Sequence, residues 1–248
     1  MSEVDELKRM IRDAKRIVAF TGAGISTESG IPDFRSPGGI WTRYQPIEFQ
    51  DFLASEEMRR ESWRRKFAID ETMRTAEPNA GHRALARLVE RGQMLAIITQ
   101  NIDGLHQASG VPDEQVIELH GNSTYAACLD CKRRHELDWV KQIFSDNETL
   151  PKCMACRGIL KTATISFGQA MPEDAMERAH DVTRQADLMI TLGSSLVVYP
   201  AASFPIMAKR LGAKYIIINR EPTDQDEMAD LVINSEIGTT ISKAVGVN

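Results

Sequence analysis

Ile17-Val18-Ala19-Phe20-Thr21-Gly22-Ala23-Gly24-Ile25-Ser26, continued by Gly30-Ile31-Pro32-Asp33-Phe34-Arg35, is the stretch from which the fold of this chain can be read. A short apolar run ending in Gly-x-Gly suggests a buried parallel strand that enters a glycine turn and the start of a helix. Glycines in such a turn let backbone N–H groups approach a phosphate, and a helix N-terminus adds favourable partial charge. No lysine stands at the P-loop position, and Thr27 occupies the third place of a dinucleotide fingerprint, so the motif is incomplete. Alone, it reads equally as a phosphate-binding turn or as a tight strand–helix connection. Pro32 argues against helix beyond the turn. Asp33, Phe34 and Arg35 therefore fall on a loop, where a solvated ion pair is the plain alternative to a binding role.

Further along, apolar runs alternate with helix-prone segments. Leu95–Ile98, Val116–Leu119, Asp187–Leu192, Tyr215–Asn219 and Asp230–Ile233 read as strands, and His82–Arg91 and Pro200–Leu211 as helices. Val4, Leu7, Met10, Ile11 and Ala14 recur at helical spacing and give an amphipathic first helix. This order predicts an α/β fold, a Rossmann-like doubly wound parallel sheet. A dehydrogenase of that fold would place its second strand near residues 50–74, but that stretch is charged and helix-prone, which disfavours hydride transfer. The expected organisation is a Rossmann-like large domain over 1–35, 75–122 and 165–248, a helical segment over 36–74, and a small zinc-binding module over 123–164.

The chain has 248 residues and a net charge of −5, so bulk electrostatics do not favour nucleic acid. Arg59-Arg60 and Arg64-Arg65-Lys66 read as a solvated helix face. No apolar run approaches the roughly 18 residues of a membrane span. The charged N-terminal stretch lacks a signal-peptide core, and a cytoplasmic location is expected.

The four cysteines form two Cys-x2-Cys pairs, Cys128/Cys131 and Cys153/Cys156. That spacing points to one tetrahedral zinc ion with four thiolates. Two disulfides are the alternative. A four-ligand site leaves no open position, so the metal is structural rather than catalytic. His135 is not needed as a ligand and is expected to be exposed.

Of the five histidines, His82 reads as a helix-start residue, His180 lies on a polar helix, and His106, which would share a helix face with Asp103, reads as packing. His120 differs. It ends a strand on the side where open α/β sheets bind ligands, and its ordinary pKa suits a general base. Asn101 and Asp103, Gly193-Ser194-Ser195, and Asn219 follow three other strand ends. Together they outline one dinucleotide-sized cleft.

These pieces resemble the sirtuin family of NAD-dependent protein lysine deacylases. The resemblance rests on Gly22-Ala23-Gly24-Ile25-Ser26, Gly30-Ile31-Pro32-Asp33-Phe34-Arg35, Thr99-Gln100-Asn101-Ile102-Asp103-x-Leu105-His106, His120-Gly121, the cysteine pairs, Phe167-Gly168, Gly193 through Ala201 and Asn219-x-Glu221, in the family's order. It implies that NAD and an acylated lysine of a protein or peptide meet in the cleft. The acyl oxygen would attack the ribose carbon as nicotinamide leaves, and the acyl group would pass to ADP-ribose.

The resemblance makes His120 the base and places Asn101 and Asp103 around the nicotinamide ribose, with Ser26 and Gln100 close by. It assigns Gly22, Ala23, Gly24, Asp33, Phe34, Arg35 and Ile102 to the pyrophosphate and nicotinamide side. Gly193, Ser194, Ser195, Asn219, Arg220, Glu221 and Ile237 fall to the adenosine side. Phe34, His120, Ile165, Phe167, Gly168, Val197 and Val198 would line the acyl-lysine tunnel.

Two departures bear on substrate choice. Gln169 stands where the family usually has glutamate, and the stretch before it lacks the usual proline. Trp63-Arg64-Arg65-Lys66-Phe67 lacks the Tyr-x-x-Arg pair of desuccinylating members, which favours acetyl or another neutral acyl group, although Arg64 or Arg65 could still meet a carboxylate. Mono-ADP-ribosyl transfer and a preference for a non-acetyl acyl group are the alternative activities. A non-enzymatic NAD-responsive binder is the remaining rival.

Overall fold

A computed structural model describes residues 2–247. In chain order the elements are α1 (Glu3–Asp13), β1 (Ile17–Thr21), a 3-10 turn at Ala23–Ser29, α2 (Ile40–Arg43), α3 (Phe49–Ala54), α4 (Glu56–Thr75), α5 (Ala80–Glu90) and β2 (Met94–Thr99). Next come α6 (Leu105–Ala108), β3 (Val116–Glu118), β4 (Gly121–Cys128), β5 (Arg134–Glu136), α7 (Leu137–Phe144) and β6 (Leu160–Thr164). The chain closes with α8 (Glu173–Gln185), β7 (Leu188–Leu192), α9 (Ser203–Arg210), β8 (Lys214–Ile218), β9 (Leu231–Ile233) and α10 (Ile237–Val245).

Six strands form one sheet in the order β3-β2-β1-β7-β8-β9, and every neighbouring pair is parallel. This is the doubly wound order, with its reversal between β1 and β7. The period-two alternation of β1 feeds two separate cores. Ile17 and Ala19 join Leu7, Leu85, Leu88 and Ile241 on one face. Val18 and Phe20 join Ala179, Phe204 and Tyr215 on the other. Coverage on both faces explains why β1 and β7 are apolar almost throughout.

Helix boundaries follow local chemistry. Ser2 and Asp5 form a capping box at α1, and Asn79 and His82 form one at α5. Gly92, with φ +68, follows α5 and turns the chain toward β2. Glycine turn and helix start do not continue as expected after β1: Ala23–Ser29 is a 3-10 turn, not an α-helix. His106 packs as expected, but Asp103 precedes α6 and does not share its face. Its Oδ1 accepts from the Leu105 amide instead.

A second, antiparallel sheet, β5-β4-β6, carries the cysteines. Its core gathers Cys128, Cys153, Val140, Phe144 and Leu160 around Trp63 of α4. The helix α4 is thus bound to this small sheet through its tryptophan, Trp63. Ion pairs Arg64–Glu148 and Arg74–Asp138 join the same two units. Lys66 departs from the expected solvated face. It is buried and donates to Asp70 at 2.6 Å, because Trp63, Lys66 and Asp70 share the inward side of α4 at spacings of three and four. No helix among the described residues is long and apolar enough to cross a membrane.

Candidate active site

A cavity of about 550 Å³ opens at the C-terminal edge of the large sheet, where this strand order binds ligands. Gly22, Ala23 and Gly24 leave β1 into it, Gln100, Asn101 and Ile102 leave β2, and His120 follows β3. Gly193, Ser194 and Ser195 leave β7, and Asn219, Arg220 and Glu221 leave β8. Ile237 opens α10.

The glycines do more than expose amides. A Cβ on Gly22 would lie 2.7 Å from the Gly193 oxygen, and one on Gly193 only 2.2 Å from the Ile25 nitrogen. Gly193 also has φ +65, and the Gly24 amide donates to its carbonyl at 2.8 Å. The β1 and β7 turns therefore interlock, backbone against backbone, and only hydrogen side chains permit it. Gln100 Nε2 ties β2 to the same turn by donating to Ser194 Oγ at 2.8 Å.

Beneath the wall, Ser26 Oγ donates to Asp103 Oδ2 at 2.7 Å. Asn101 Nδ2 donates to Ser26 Oγ at 3.1 Å. This pairing commits one Nδ2 hydrogen of Asn101 to Ser26, at a residue that lines the cavity. Burial pushes the Asp103 carboxyl up, against which the Leu105 amide and the Ser26 hydroxyl act. Asp103 and Ser26, both expected beside the cofactor, are thus not on the cavity wall; they stand one layer behind Asn101.

His120 is part-buried, and its Nδ1 lies 3.2 Å from the Gln100 carbonyl oxygen. A carbonyl only accepts, so Nδ1 carries the proton and Nε2 is the basic nitrogen. Burial lowers the His120 pKa, and the Gln100 contact opposes this only in part. The ring is neutral at pH 7.

Asp33, Phe34 and Arg35 form the opposite wall. Asp33 is no simple surface ion: its oxygens accept from the Arg35 and Ser36 amides and the Ser36 hydroxyl. The Arg35 guanidinium lies over the Trp41 ring at 4.3 Å, and burial lowers its pKa with no acidic neighbour among the described residues to offset that. An arginine without a carboxylate fits an anionic ligand group. Phe34, Trp41 and Phe167 follow one another at ring separations of 5.4 and 5.5 Å. With Ile165, Gly168 and Val198 they make the apolar end of the cavity. Val197, expected there too, is off the wall and 43% exposed. Trp41, Pro46, Ile47 and Tyr199 line the cavity without having been expected. Gln169 closes its own loop, accepting from the Ser166 amide.

Arg64 and Arg65 do not reach the cavity. Arg64 is held by Glu57, Glu61 and Glu148, and Arg65 by Glu61 and the Gln45 carbonyl.

In the small sheet the sulfurs of Cys128, Cys131, Cys153 and Cys156 all lie within 4.8 Å of one another. Cys128–Cys156 and Cys131–Cys153 stand 3.5 and 3.6 Å apart. That is far beyond a disulfide bond of about 2 Å. It matches the edges of a tetrahedron with zinc–sulfur bonds of about 2.3 Å. His135 is not exposed but buried. It stacks on Trp139, and its Nε2 lies 3.4 Å from Cys153 Sγ, where an N–H supports a thiolate.

A doubly wound sheet with a glycine-interlocked cleft, a neutral histidine in it and an attached four-thiolate module defines a dinucleotide-dependent enzyme with structural zinc. Comparison with known proteins specifies it further. The Sir2 family model matches residues 22–200, and the chain belongs to that family. It is 61% identical over 245 residues to NAD-dependent protein deacetylase 1 of Bradyrhizobium diazoefficiens, covering 99% of this chain and 96% of that one. It is 59% identical to the NAD-dependent protein deacetylase of Rhodopseudomonas palustris, covering 99% and 97%. A solved Sir2 protein with a p53 peptide and NAD+ superposes with a TM-score of 0.87 at 36% identity, covering 99% of this chain and 98% of that one.

Proposed function

We propose that this protein is an NAD-dependent protein lysine deacetylase that passes the acetyl group to ADP-ribose. The single observation that carries the reading is the cleft itself. It brings a neutral His120 with a free Nε2 and the Asn101 carboxamide together with Arg35, unpaired among the described residues, and an apolar aromatic end. The deacetylase relatives support it.

NAD, when bound, supplies an ADP-ribosyl group whose bond to nicotinamide is the one broken. Arg35 and the backbone of Gly22, Ala23 and Gly24 hold the pyrophosphate. Gly193, Ser194, Ser195, Asn219, Arg220, Glu221 and Ile237 surround the adenosine. Gln100, Asn101 and Ile102 shape the nicotinamide end, with Ser26 and Asp103 keeping the Asn101 carboxamide in one orientation. Phe34, Ile165, Phe167, Gly168 and Val198 take the acyl-lysine. A neutral amide enters such a passage at far less cost than a charged ammonium, and its dryness protects the reacting carbon from water. His120 Nε2 accepts the proton of a ribose hydroxyl, which frees that oxygen to take the acyl group. The balance is acyl-lysine, NAD and water in, and lysine, nicotinamide and O-acyl-ADP-ribose out.

Cys128, Cys131, Cys153 and Cys156 hold the zinc ion, which shapes the small sheet and takes no part in the chemistry. We place the protein in the cytoplasm, a reading that the four unbridged cysteines support.

Mass spectrometry of an acetyl-lysine peptide tests the function. Loss of one acetyl only with NAD present, matched by nicotinamide and O-acetyl-ADP-ribose, is the expected result. Gain of an ADP-ribose by the peptide or the protein would replace deacetylation with ADP-ribosyl transfer.

A further inference from the structure

Two of the buried side-chain nitrogens left without a hydrogen-bond partner are His82 Nε2 and His106 Nδ1. Their rings lie 5.0 Å apart, centroid to centroid, and both residues are almost wholly shielded from solvent. Orphaned polar atoms of this kind are rare in a folded core, and here two of them adjoin.

Their protonation is legible from their partners. The Asn79 backbone N–H donates to His82 Nδ1 at 3.3 Å. A backbone amide can only donate, so His82 carries its proton on Nε2, and that orphan is a donor. His106 Nε2 lies 2.9 Å from Thr21 Oγ1. Thr21 Oγ1 spends its single proton on Thr99 Oγ1 at 2.8 Å, so it accepts from His106. His106 Nδ1 is then a bare acceptor. One orphan donates and the other accepts.

We propose that His82 and His106 form one directional hydrogen-bond relay, closed by a small ring rotation or a single buried water, that positions Asn101 for the reaction. The relay runs from the Asn79 amide through His82, His106 and Thr21 to Thr99. Thr99 Oγ1 also accepts from the backbone N–H of Asn101 at 3.0 Å. At its far end Asn79 Nδ2 donates to the Ile25 carbonyl and to Ser29 Oγ. The relay therefore ties the cap of α5 and the 3-10 turn to the ends of β1 and β2, beneath the nicotinamide end of the cleft. His82 and His106 do not line the cavity; they are positioning residues acting through Thr21 and Thr99. Their direction is set by His82, because its Nδ1 is committed to an N–H that cannot be reversed.

The relay deepens the reading of Asn101 and rests on it for its kinetic arm, whereas the spectroscopic arm stands apart. Nitrogen-15 NMR of histidine-labelled protein at pH 7 should show both rings neutral and protonated on Nε2. His106 protonated on Nδ1 would set two donors against each other and overturn the relay. In kinetics, His82→Gln keeps a donor near the Nε2 position, and His82→Asn keeps only an acceptor near Nδ1. The relay predicts that His82→Asn loses about 10-fold or more in kcat with little change in KM for the peptide, and that His82→Gln restores most of it. A capping role alone predicts the opposite order, and that order would also overturn the relay. Should both variants misfold, the spectrum of the unaltered protein decides. Neutral Nε2–H rings in a protein with no deacetylase activity would keep the relay and sink the proposed function.

Discussion

Arg64 on α4 grips Glu148 of the small module through two hydrogen bonds, Nε to Oε1 at 2.6 Å and Nη2 to Oε2 at 2.5 Å. The same guanidinium also meets Glu57 and Glu61. Its binding capacity is spent inside the protein, and Arg65 is likewise spent on Glu61 and Gln45. Neither is available to a carboxylated acyl group. Turnover on one peptide carrying either acetyl- or succinyl-lysine should therefore favour acetyl by at least about tenfold, since a buried, unpaired carboxylate costs several kcal/mol. Faster desuccinylation would mean that Arg35 or an arginine moved from α4 meets the substrate.

His120 is a neutral base whose pKa burial holds below the ordinary 6.5. Activity requires the unprotonated ring. The acid limb of kcat/KM should accordingly fall as pH drops through a value below 6.5, and activity should already be at its plateau at pH 7. His120→Ala should lower turnover by about 100-fold or more while NAD binding, measured by calorimetry, persists. Surviving turnover would remove the base assignment.

The same direction of shift has a different consequence at His82, buried and lowered to about 4. In the unfolded chain its pKa returns to 6.5. Between those values the unfolded state binds a proton that the folded state refuses, so stability present above pH 6.5 is lost as pH falls toward 4. The shift corresponds to about 3 kcal/mol. Urea midpoints measured across that window should fall with decreasing pH, and a flat profile would contradict the buried neutral ring.

Zinc removal should propagate beyond the cysteines. Trp63 of α4 shares the small module's core with Cys128 and Cys153. Chelation should therefore quench the order of α4 as well as that of β4 to β6, seen in tryptophan emission and circular dichroism, and abolish activity. Metal analysis should return one zinc per chain. Trp63→Ala should cost about 3–5 kcal/mol and weaken zinc retention. Full activity of metal-free protein would refute the structural role.

Gly193→Ala places a Cβ 2.2 Å from the Ile25 nitrogen at a residue with φ +65. The β1 and β7 turns would have to separate. NAD affinity should fall by at least about tenfold, with a loss of stability of roughly 1–3 kcal/mol from the strained backbone. Thermal unfolding with and without NAD measures both, and an unchanged shift on NAD addition would show that the interlock is not needed for the cofactor.

Much of this molecule could be read without coordinates, because its strongest signals are local or periodic. The apolar runs of β1 and β8, the amphipathic spacing of α1 and the two Cys-x2-Cys pairs each encode their structure within a few residues. His120 was legible as a strand-end residue facing a ligand edge. Ser26 and Asp103 could be grouped with Asn101 by their place in the chain, but not ordered. Which of the three faces the cavity depends on hydrogen bonds between β1 and β2 turns that lie far apart in sequence. His135 was misread because a histidine in a charged stretch reads as exposed, whereas its partner Trp139 and its contact with Cys153 appear only once β5 and α7 fold together. Lys66 was misread for the same reason: its neighbour Asp70 is four residues away, but the burial that pairs them comes from the small sheet.

By itself the sequence determined the strand alternation, the glycine turns, the thiolate set and the types of residue around the cleft. These depend on backbone conformation, period and ligand chemistry, which short segments carry. Only the tertiary structure decided that α4 belongs with the zinc module and that Gly22, Gly24 and Gly193 interlock. It alone put Asn101 on the cavity wall with Ser26 and Asp103 behind it and brought His82 beside His106. Those are contacts between distant segments, and their donors, acceptors and clearances exist only after the sheet has brought the strand ends together.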